Sequence, residues 1–220
     1  RPFFVIYRPE IIPCLNYMLD YWDKLAKRNG FSGMIFAYQQ LSFHILEGRD
    51  ESRFKYNIEY QPAYARYDLQ INQVSKIGKM AFHLKNIVRN LALQVDKKIG
   101  TNITSRLTKK TLQIEEYDDL CQEIIKRKPD SDKAIPGMFV GWDNTPRRGK
   151  KGRVCVGATP EKFSYYMELQ MKNAMENYHK DMMFLFAWNE WAEGGYLEPD
   201  EINGYGYLEA IKNLVDKQYV

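Results

Sequence analysis

Two glutamates three positions apart, Glu190 and Glu193, follow directly on the apolar run Met182–Trp188. Trp188, Trp191 and Tyr196 stand around them, and Asn189 and Glu198 add further polar groups to the same stretch. A carboxyl pair suits chemistry at a glycosidic bond. One protonated group donates to the leaving oxygen, and one ionised group acts as base or nucleophile. Flat aromatic faces pack against the C–H face of a sugar ring and keep water away from a neighbouring carboxyl. If the chain starts a helical turn after the strand, a spacing of three aims both carboxylates the same way. The same spacing suits an ordinary first turn of a helix, where negative charge meets the dipole.

A second group precedes this one. Trp142, Asp143 and Asn144 follow the apolar run Ile135–Val140 and read as cleft residues, although Asp143 could equally cap its own loop by accepting backbone N–H bonds. Arg147, Arg148, Lys150, Lys151 and Arg153 place five positive charges in seven residues. Such a cluster suits the diphosphate of a nucleotide-sugar or an acidic glycan, and it also suits a solvated turn. Tyr7 and Arg8 end the first apolar run, and Tyr38 ends the second. Each could face a sugar; Arg8 could instead pair with a carboxylate, and the two tyrosines could be the last core residues.

These groups need elements to place them. Phe3–Tyr7 and Met34–Tyr38 are short runs of strand formers, and between them Leu15, Met18, Leu19, Trp22, Leu25 and Ala26 recur at helical spacing up to Asn29-Gly30. Strand, helix, strand in about 35 residues implies parallel strands. Ile135–Val140 and Met182–Trp188 supply two more strands. Helices are expected over Tyr117–Ile125, after the cap Thr159-Pro160-Glu161 to about Asn177, and over Tyr205–Asp216. Leu41–Tyr67 reads as a long loop over the mouth of the sheet, and residues 41–110 as a loop and partly helical insertion, with helical spacing over Ile71–Leu93. The fold class is therefore α/β: four strand–helix units, in a (β/α) barrel of TIM type or an open doubly wound sheet. The polar and aromatic residues gather where strands end, which is where such folds bind ligands.

The chain has 220 residues with 45% hydrophobic and 27% charged residues, so a sizeable core forms and disorder of the whole chain is excluded. No apolar run approaches the ~20 residues of a membrane span. A net charge of +4 is too mild, and too confined to one loop, to imply nucleic acid. His44, His83 and His179 lack metal-ligand spacing, so no metal or other cofactor is expected. Cys14, Cys121 and Cys155 form no disulfide framework and suggest a reducing compartment. Asn102-Ile103-Thr104 fits a glycosylation acceptor only formally. The chain opens directly on a strand without a secretory signal. Those features point to a cytoplasmic location and to a fragment of a larger fold.

Phe186-Ala187-Trp188-Asn189-Glu190-Trp191-Ala192-Glu193-Gly194, with Tyr196-Leu197-Glu198-Pro199-Asp200, resembles the C-terminal signature of the WbsX family. Ile6-Tyr7-Arg8-Pro9, Gly141 to Gly149 and Gly204-Tyr205-Gly206-Tyr207-Leu208-Glu209-Ala210 are similar to the same family. Its members are bacterial polysaccharide-biosynthesis glycosyltransferases that are also glycoside hydrolase family 99-like. The resemblance implies one domain over 1–220, the C-terminal portion of a (β/α)8 barrel, acting on α-mannoside-like glycans with retention. It implies that Glu190 assists attack by the sugar 2-hydroxyl on the anomeric carbon, and that Glu193 is the general acid and base. Substrate contacts are expected from Tyr7, Arg8, Tyr38, Trp142, Asp143, Asn144, Arg147, Arg148, Trp188, Asn189, Trp191, Tyr196 and Glu198. The partner is an oligosaccharide or polysaccharide; a nucleotide-sugar in lipopolysaccharide assembly and a non-catalytic glycan-binding module are the alternatives. Half a barrel exposes two strand edges, so a homodimer or a complementing N-terminal half is expected.

Overall fold

A computed structural model describes residues 1–40, 50–72 and 111–218 of the chain. It is a mixed α/β structure built on parallel strands. Strand β1 (Phe3–Ile6) pairs with β2 (Ile35–Gln40), β2 with β3 (Tyr56–Glu59), and β3 with β5 (Ala134–Ile135), all in parallel. Pro136 separates β5 from β6 (Gly137–Phe139), which pairs in parallel with β8 (Phe184–Phe186). A proline has no N–H to give to a ladder. The Pro136 carbonyl still accepts from the N–H of Phe184 at 3.1 Å, so the chain passes from one neighbour to the other without a break. A separate parallel pair joins β4 (Gln113–Glu116) to β7 (Arg153–Val156).

Helix α1 (Leu15–Arg28) covers one face of β1 and β2. Leu15, Leu19 and Ala26 are its buried residues. Leu15, Leu19, Met18 and Trp22 pack with Ile6, Phe36, Tyr38 and Phe54. The helix stops where Gly30 takes φ +87°, a conformation that side chains with a Cβ rarely adopt. Helices α2 (Ala63–Asn72), α3 (Tyr117–Lys126), α4 (Pro160–Glu176) and α5 (Gly206–Gln218) pack each against the next. Thr159 caps α4 by accepting from the N–H of Lys162, with Pro160 in the first turn. Tyr117, Leu120, Ile124, Phe163, Met167, Tyr207 and Leu214 from these helices form the main core with Met138, Phe139 and Trp142.

A further apolar layer holds Ala37, Ile58 and Ile135 with Val5, Tyr56, Met182 and Phe184. Phe3 in β1 reaches Tyr56 (ring centroids 5.9 Å) and Phe184 in β8 (6.0 Å). A flat sheet would hold β1 and β8 ~19 Å apart, because β2, β3 and β5–β6 lie between them. The sheet therefore curls on itself around this layer.

The expectation of a loop over Leu41–Tyr67 is corrected within residues 50–67. Tyr56–Glu59 is a strand between β2 and β5, and α2 begins at Ala63. The strand has only four residues, and its Asn57 and Glu59 obscure the pattern in sequence. Both are buried with partners: the Asn57 side chain donates to Gln40, and Glu59 accepts from the Tyr178 hydroxyl at 2.8 Å. β4 and β7 also lie where no strand is expected. Residues 41–49 and 73–110, with most of the expected insertion, His44, His83 and the Asn102 motif, lie outside the described residues. Among the described residues no helix is long and apolar enough to cross a membrane, and no His, Cys, Asp and Glu group could hold a metal ion.

Glu59 is 1% exposed and ties the end of β3 to three other segments. Arg127, just past α3, approaches it at 3.2 Å and also pairs with Asp68 at 2.7 Å and Asp130 at 2.5 Å. The Tyr64 ring lies under the Arg127 guanidinium, 4.4 Å away. Burial pushes the Glu59 carboxyl up to about 7 from an ordinary 4.5, against the pull of Arg127 and the Tyr178 hydroxyl. Between those two values the folded chain holds a proton that the unfolded chain has released. Stability from this group is therefore full below about pH 4.5 and falls as pH rises toward 7. Urea unfolding of the Glu59→Gln variant should lose that slope, which amounts to about 1–3 kcal/mol across the window. An unchanged slope in the variant would assign the titration to another group.

Candidate active site

The glutamates stand on a small hairpin beyond β8. β9 (Asn189–Glu190) pairs antiparallel with β10 (Gly195–Tyr196), and Trp191–Glu193 forms a single 3-10 turn between them. The helical turn considered after the strand is thus a single 3-10 turn, after which the chain turns back. Gly194, at φ +62°, ends the turn in the left-handed region. A Cβ there would stand 2.7 Å from the Asp143 nitrogen, so the residue type is set by close approach as well as by φ. Glu190 sits in the strand and Glu193 closes the turn, both partly buried.

The hairpin docks on the segment after β6. The Asp143 N–H donates to the Glu193 carbonyl at 2.7 Å, and the Arg147 guanidinium pairs with the Glu193 carboxylate. Asp143 itself accepts from the N–H and hydroxyl of Thr145, at 2.8 and 2.6 Å. Its side chain caps the Thr145–Arg148 helical turn, the second of the two readings open in the sequence. Asn144 is buried and accepts from the N–H of Arg153 at 2.8 Å, which pins that turn to β7. Arg153 and Arg66 both pair with Glu115, at 2.7 and 2.8 Å.

The aromatics divide into two sets. Trp142 is buried, stacked on Phe186 (5.2 Å) with the Arg66 guanidinium over its ring at 4.6 Å. It supports the site from beneath. Trp188 and Trp191 are about half exposed. The Trp191 ring stacks on Tyr196 at 3.7 Å and 15°, and its indole N–H donates to Glu198 at 2.6 Å. The Trp188 carbonyl accepts from the N–H groups of Leu197 and Glu198, so the returning chain is fixed against it. Asn189 is exposed at the start of the hairpin.

The residues after β1 and in β2 are placed differently. Tyr7 is 58% exposed, and Arg8 pairs with Glu10 at 2.6 Å. Tyr38 is packed in the layer under α1, with its hydroxyl donating to Glu51 at 3.0 Å. Arg148 is exposed on the basic turn.

Tyr60, just beyond β3, belongs to the site although nothing in the sequence marks it. Its ring meets Phe186 edge-on at 5.3 Å. Burial, then the charges of Glu193 and Glu190 and the Tyr7 hydroxyl, push its own hydroxyl well above the ordinary tyrosine range, with Arg66 acting against them. It could be found only once β3 was recognised as a strand.

With this geometry in view, the chain belongs to the WbsX glycosyltransferase family: the family model described as Glycosyltransferase WbsX matches residues 1–211. Two curated relatives are each an uncharacterized protein WxcX of Xanthomonas campestris pv. campestris. The protein of strain B100 is 26% identical over 222 residues, and that of strain ATCC 33913 is 26% identical over 220. Each alignment takes in 99% of this chain and 27% of the relative, so the chain spans about a quarter of their length. No solved structure matches the chain.

Gly195 has no room for a side chain: a Cβ would stand 2.2 Å from the Phe186 ring, which Trp142 and Tyr60 hold in place. Gly195→Ala should cost about 1–3 kcal/mol by overpacking and shift the glutamate hairpin. Urea unfolding measures the loss; a variant as stable as the parent would show that the hairpin is not seated on Phe186.

Proposed function

We propose that this domain acts on glycosidic bonds of α-mannoside-like glycans in bacterial surface-polysaccharide metabolism, with Glu190 and Glu193 as its catalytic pair. The observation that carries the reading is the docked hairpin: Arg147 pairs with the Glu193 carboxylate, the charges of Glu193 and Glu190 both act on the Tyr60 hydroxyl, and exposed Trp188 and the Trp191–Tyr196 stack flank them. The fold is read as the (β/α)-barrel type, supported by the curl of the parallel sheet. Among the described residues β1 pairs only with β2 and β8 only with β6. Those edges are where further strands, from the same polypeptide or a second copy, would add.

In this reading retention follows from two displacements. Glu190 takes the proton of the sugar 2-hydroxyl as that oxygen bonds to the anomeric carbon. The bond to the leaving oxygen breaks, and Glu193 gives that oxygen its proton. A water or an acceptor hydroxyl then bonds to the anomeric carbon and passes its proton to Glu193. The anhydro bond opens, and the 2-oxygen recovers its proton from Glu190. Arg147 fixes the direction of the Glu193 carboxylate, and its partner Asp143 fixes the backbone beneath it.

Transfer to an acceptor hydroxyl is the second reading, favoured by the family match and by the basic turn that carries Arg147. A glycan-binding module without turnover is the remaining one. Replacing Glu190 or Glu193 by Gln should lower the rate by at least ~10³-fold while oligosaccharide binding persists. Anomeric NMR of the first product, from an α-linked manno-oligosaccharide, should show retention. Full activity in either variant would remove that residue from the mechanism, and binding without turnover in the unaltered chain would leave the binding module.

A further inference from the structure

The basic turn beside the glutamates is a built element. Thr145–Arg148 is one helical turn, followed by a 3-10 turn at Gly149–Lys151. Asp143 caps its start through two bonds from Thr145, and the Asn144 carbonyl accepts from the N–H groups of Arg147 and Arg148. At its far end the Gly152 N–H donates to the Gly149 carbonyl at 2.9 Å. A Cβ on Gly152 would come within 3.0 Å of Thr145, so the two ends are packed together.

Its five cations have different fates. Arg147 is committed to Glu193 and Arg153 to Glu115. Arg148, Lys150 and Lys151 are exposed and have no ion-pair partner among the described residues. Three exposed, unneutralised cations in four positions add up to a local positive potential that attracts anions. Arg147 ties that charge directly to one of the two proposed catalytic carboxyls. A phosphate group offers oxygens for the fork of an arginine and for the point charges of two lysines.

We propose that the Thr145–Lys151 turn is the phosphate-recognition element of this site, receiving the diphosphate of an activated sugar donor on Arg148, Lys150 and Lys151. The inference rests on the second reading above, transfer to an acceptor hydroxyl at the same glutamate pair, and deepens it, because a donor with a diphosphate leaving group is a substrate for transfer and not for hydrolysis of a glycan. The charge on the departing diphosphate is met by the three cations. Glu193 therefore has no leaving oxygen to protonate, and its role is to accept the proton of the acceptor hydroxyl.

The test is calorimetric titration of the full chain with three ligands: inorganic pyrophosphate, a mannose nucleotide-sugar and an α-linked manno-oligosaccharide without phosphate. Saturable binding of all three is expected. The Arg148→Gln/Lys150→Gln/Lys151→Gln variant should weaken pyrophosphate and nucleotide-sugar about tenfold or more, since it removes three charge-assisted contacts. Its affinity for the oligosaccharide should stay within about twofold, which also reports that the variant is folded. Oligosaccharide binding without pyrophosphate binding would overturn the phosphate element and leave the glycosidic reading standing. Pyrophosphate binding unaffected by the variant, or matched by sulfate at equal ionic strength, would also overturn it, marking another site or a generic basic surface. Pyrophosphate binding with neither sugar ligand bound would defeat the glycosidic reading itself, and the donor assignment with it.

Discussion

The position of the two glutamates depends on one phenylalanine ring. Phe186 ends β8 and is held by Trp142 stacked on one side and Tyr60 edge-on. Gly195 presses against the same ring with no side chain between. Three different strand ends, those of β3, β6 and β8, therefore meet at a single aromatic contact. Aromatic pairs gain energy from geometry as well as area, and a dense core transmits any displacement rather than absorbing it. The hairpin that bears Glu190 and Glu193 rests on this layer, and its own packing is the Trp191–Tyr196 stack. Its remaining ties are polar: the Asp143 N–H on the Glu193 carbonyl, and Arg147 on the Glu193 carboxylate.

Polar burial follows the same plan. Glu59 and Tyr60 are neighbours at the end of β3, yet Glu59 is enclosed with Arg127 and Tyr178 while the Tyr60 hydroxyl lies in the field of Glu193 and Glu190. The buried ion pair is weak support for net stability, because desolvation offsets much of the attraction. Its clearer effect is on geometry. β3, α2, the end of α3 and the stretch beyond α4 are all tied to one carboxylate and one guanidinium. A shift of β3 along its neighbours would break those contacts together, and Tyr60 would leave Phe186.

The sequence made the framework legible where apolar runs are unbroken. β1, β2, the β5–β6 strand and β8 follow from such runs, and α1, α3, α4 and α5 from helical spacing with clear starts and stops. Glu190, Glu193 and their aromatic neighbours could be singled out because residue type and spacing sufficed. β3, β4 and β7 were hidden for a physical reason: each is short and carries buried or paired polar residues, such as Asn57, Glu59, Glu115 and Arg153. Their polarity is satisfied only by partners distant in sequence. The role of Trp142 was obscured similarly, since a tryptophan at a strand end packs inward or outward according to what lies under it. Here Arg66 and Phe186 do. The spacing of the two carboxylates left open whether a helical turn follows the strand; a single 3-10 turn does, and the left-handed Gly194 with the close approach of Asp143 then turns the chain back.

The turn after β6 joins these features into one device. Asp143 and Asn144 look like substrate ligands by residue type, yet both spend their side chains on the backbone, one capping the turn and one holding β7. That use fixes Arg147 against Glu193 and leaves the outer cations facing solvent. A loop that only solubilised the domain would gain nothing from an internal cap, a tie to β7 and a glycine packed on Thr145. A loop that must present charge at a set distance from a carboxyl needs that rigidity, since ordering flexible side chains upon binding costs about 0.5–1.5 kcal/mol each. The rigidity of the turn and the exposure of its charges are therefore complementary properties: the first holds Arg147 against Glu193, and the second leaves three cations facing solvent beside it.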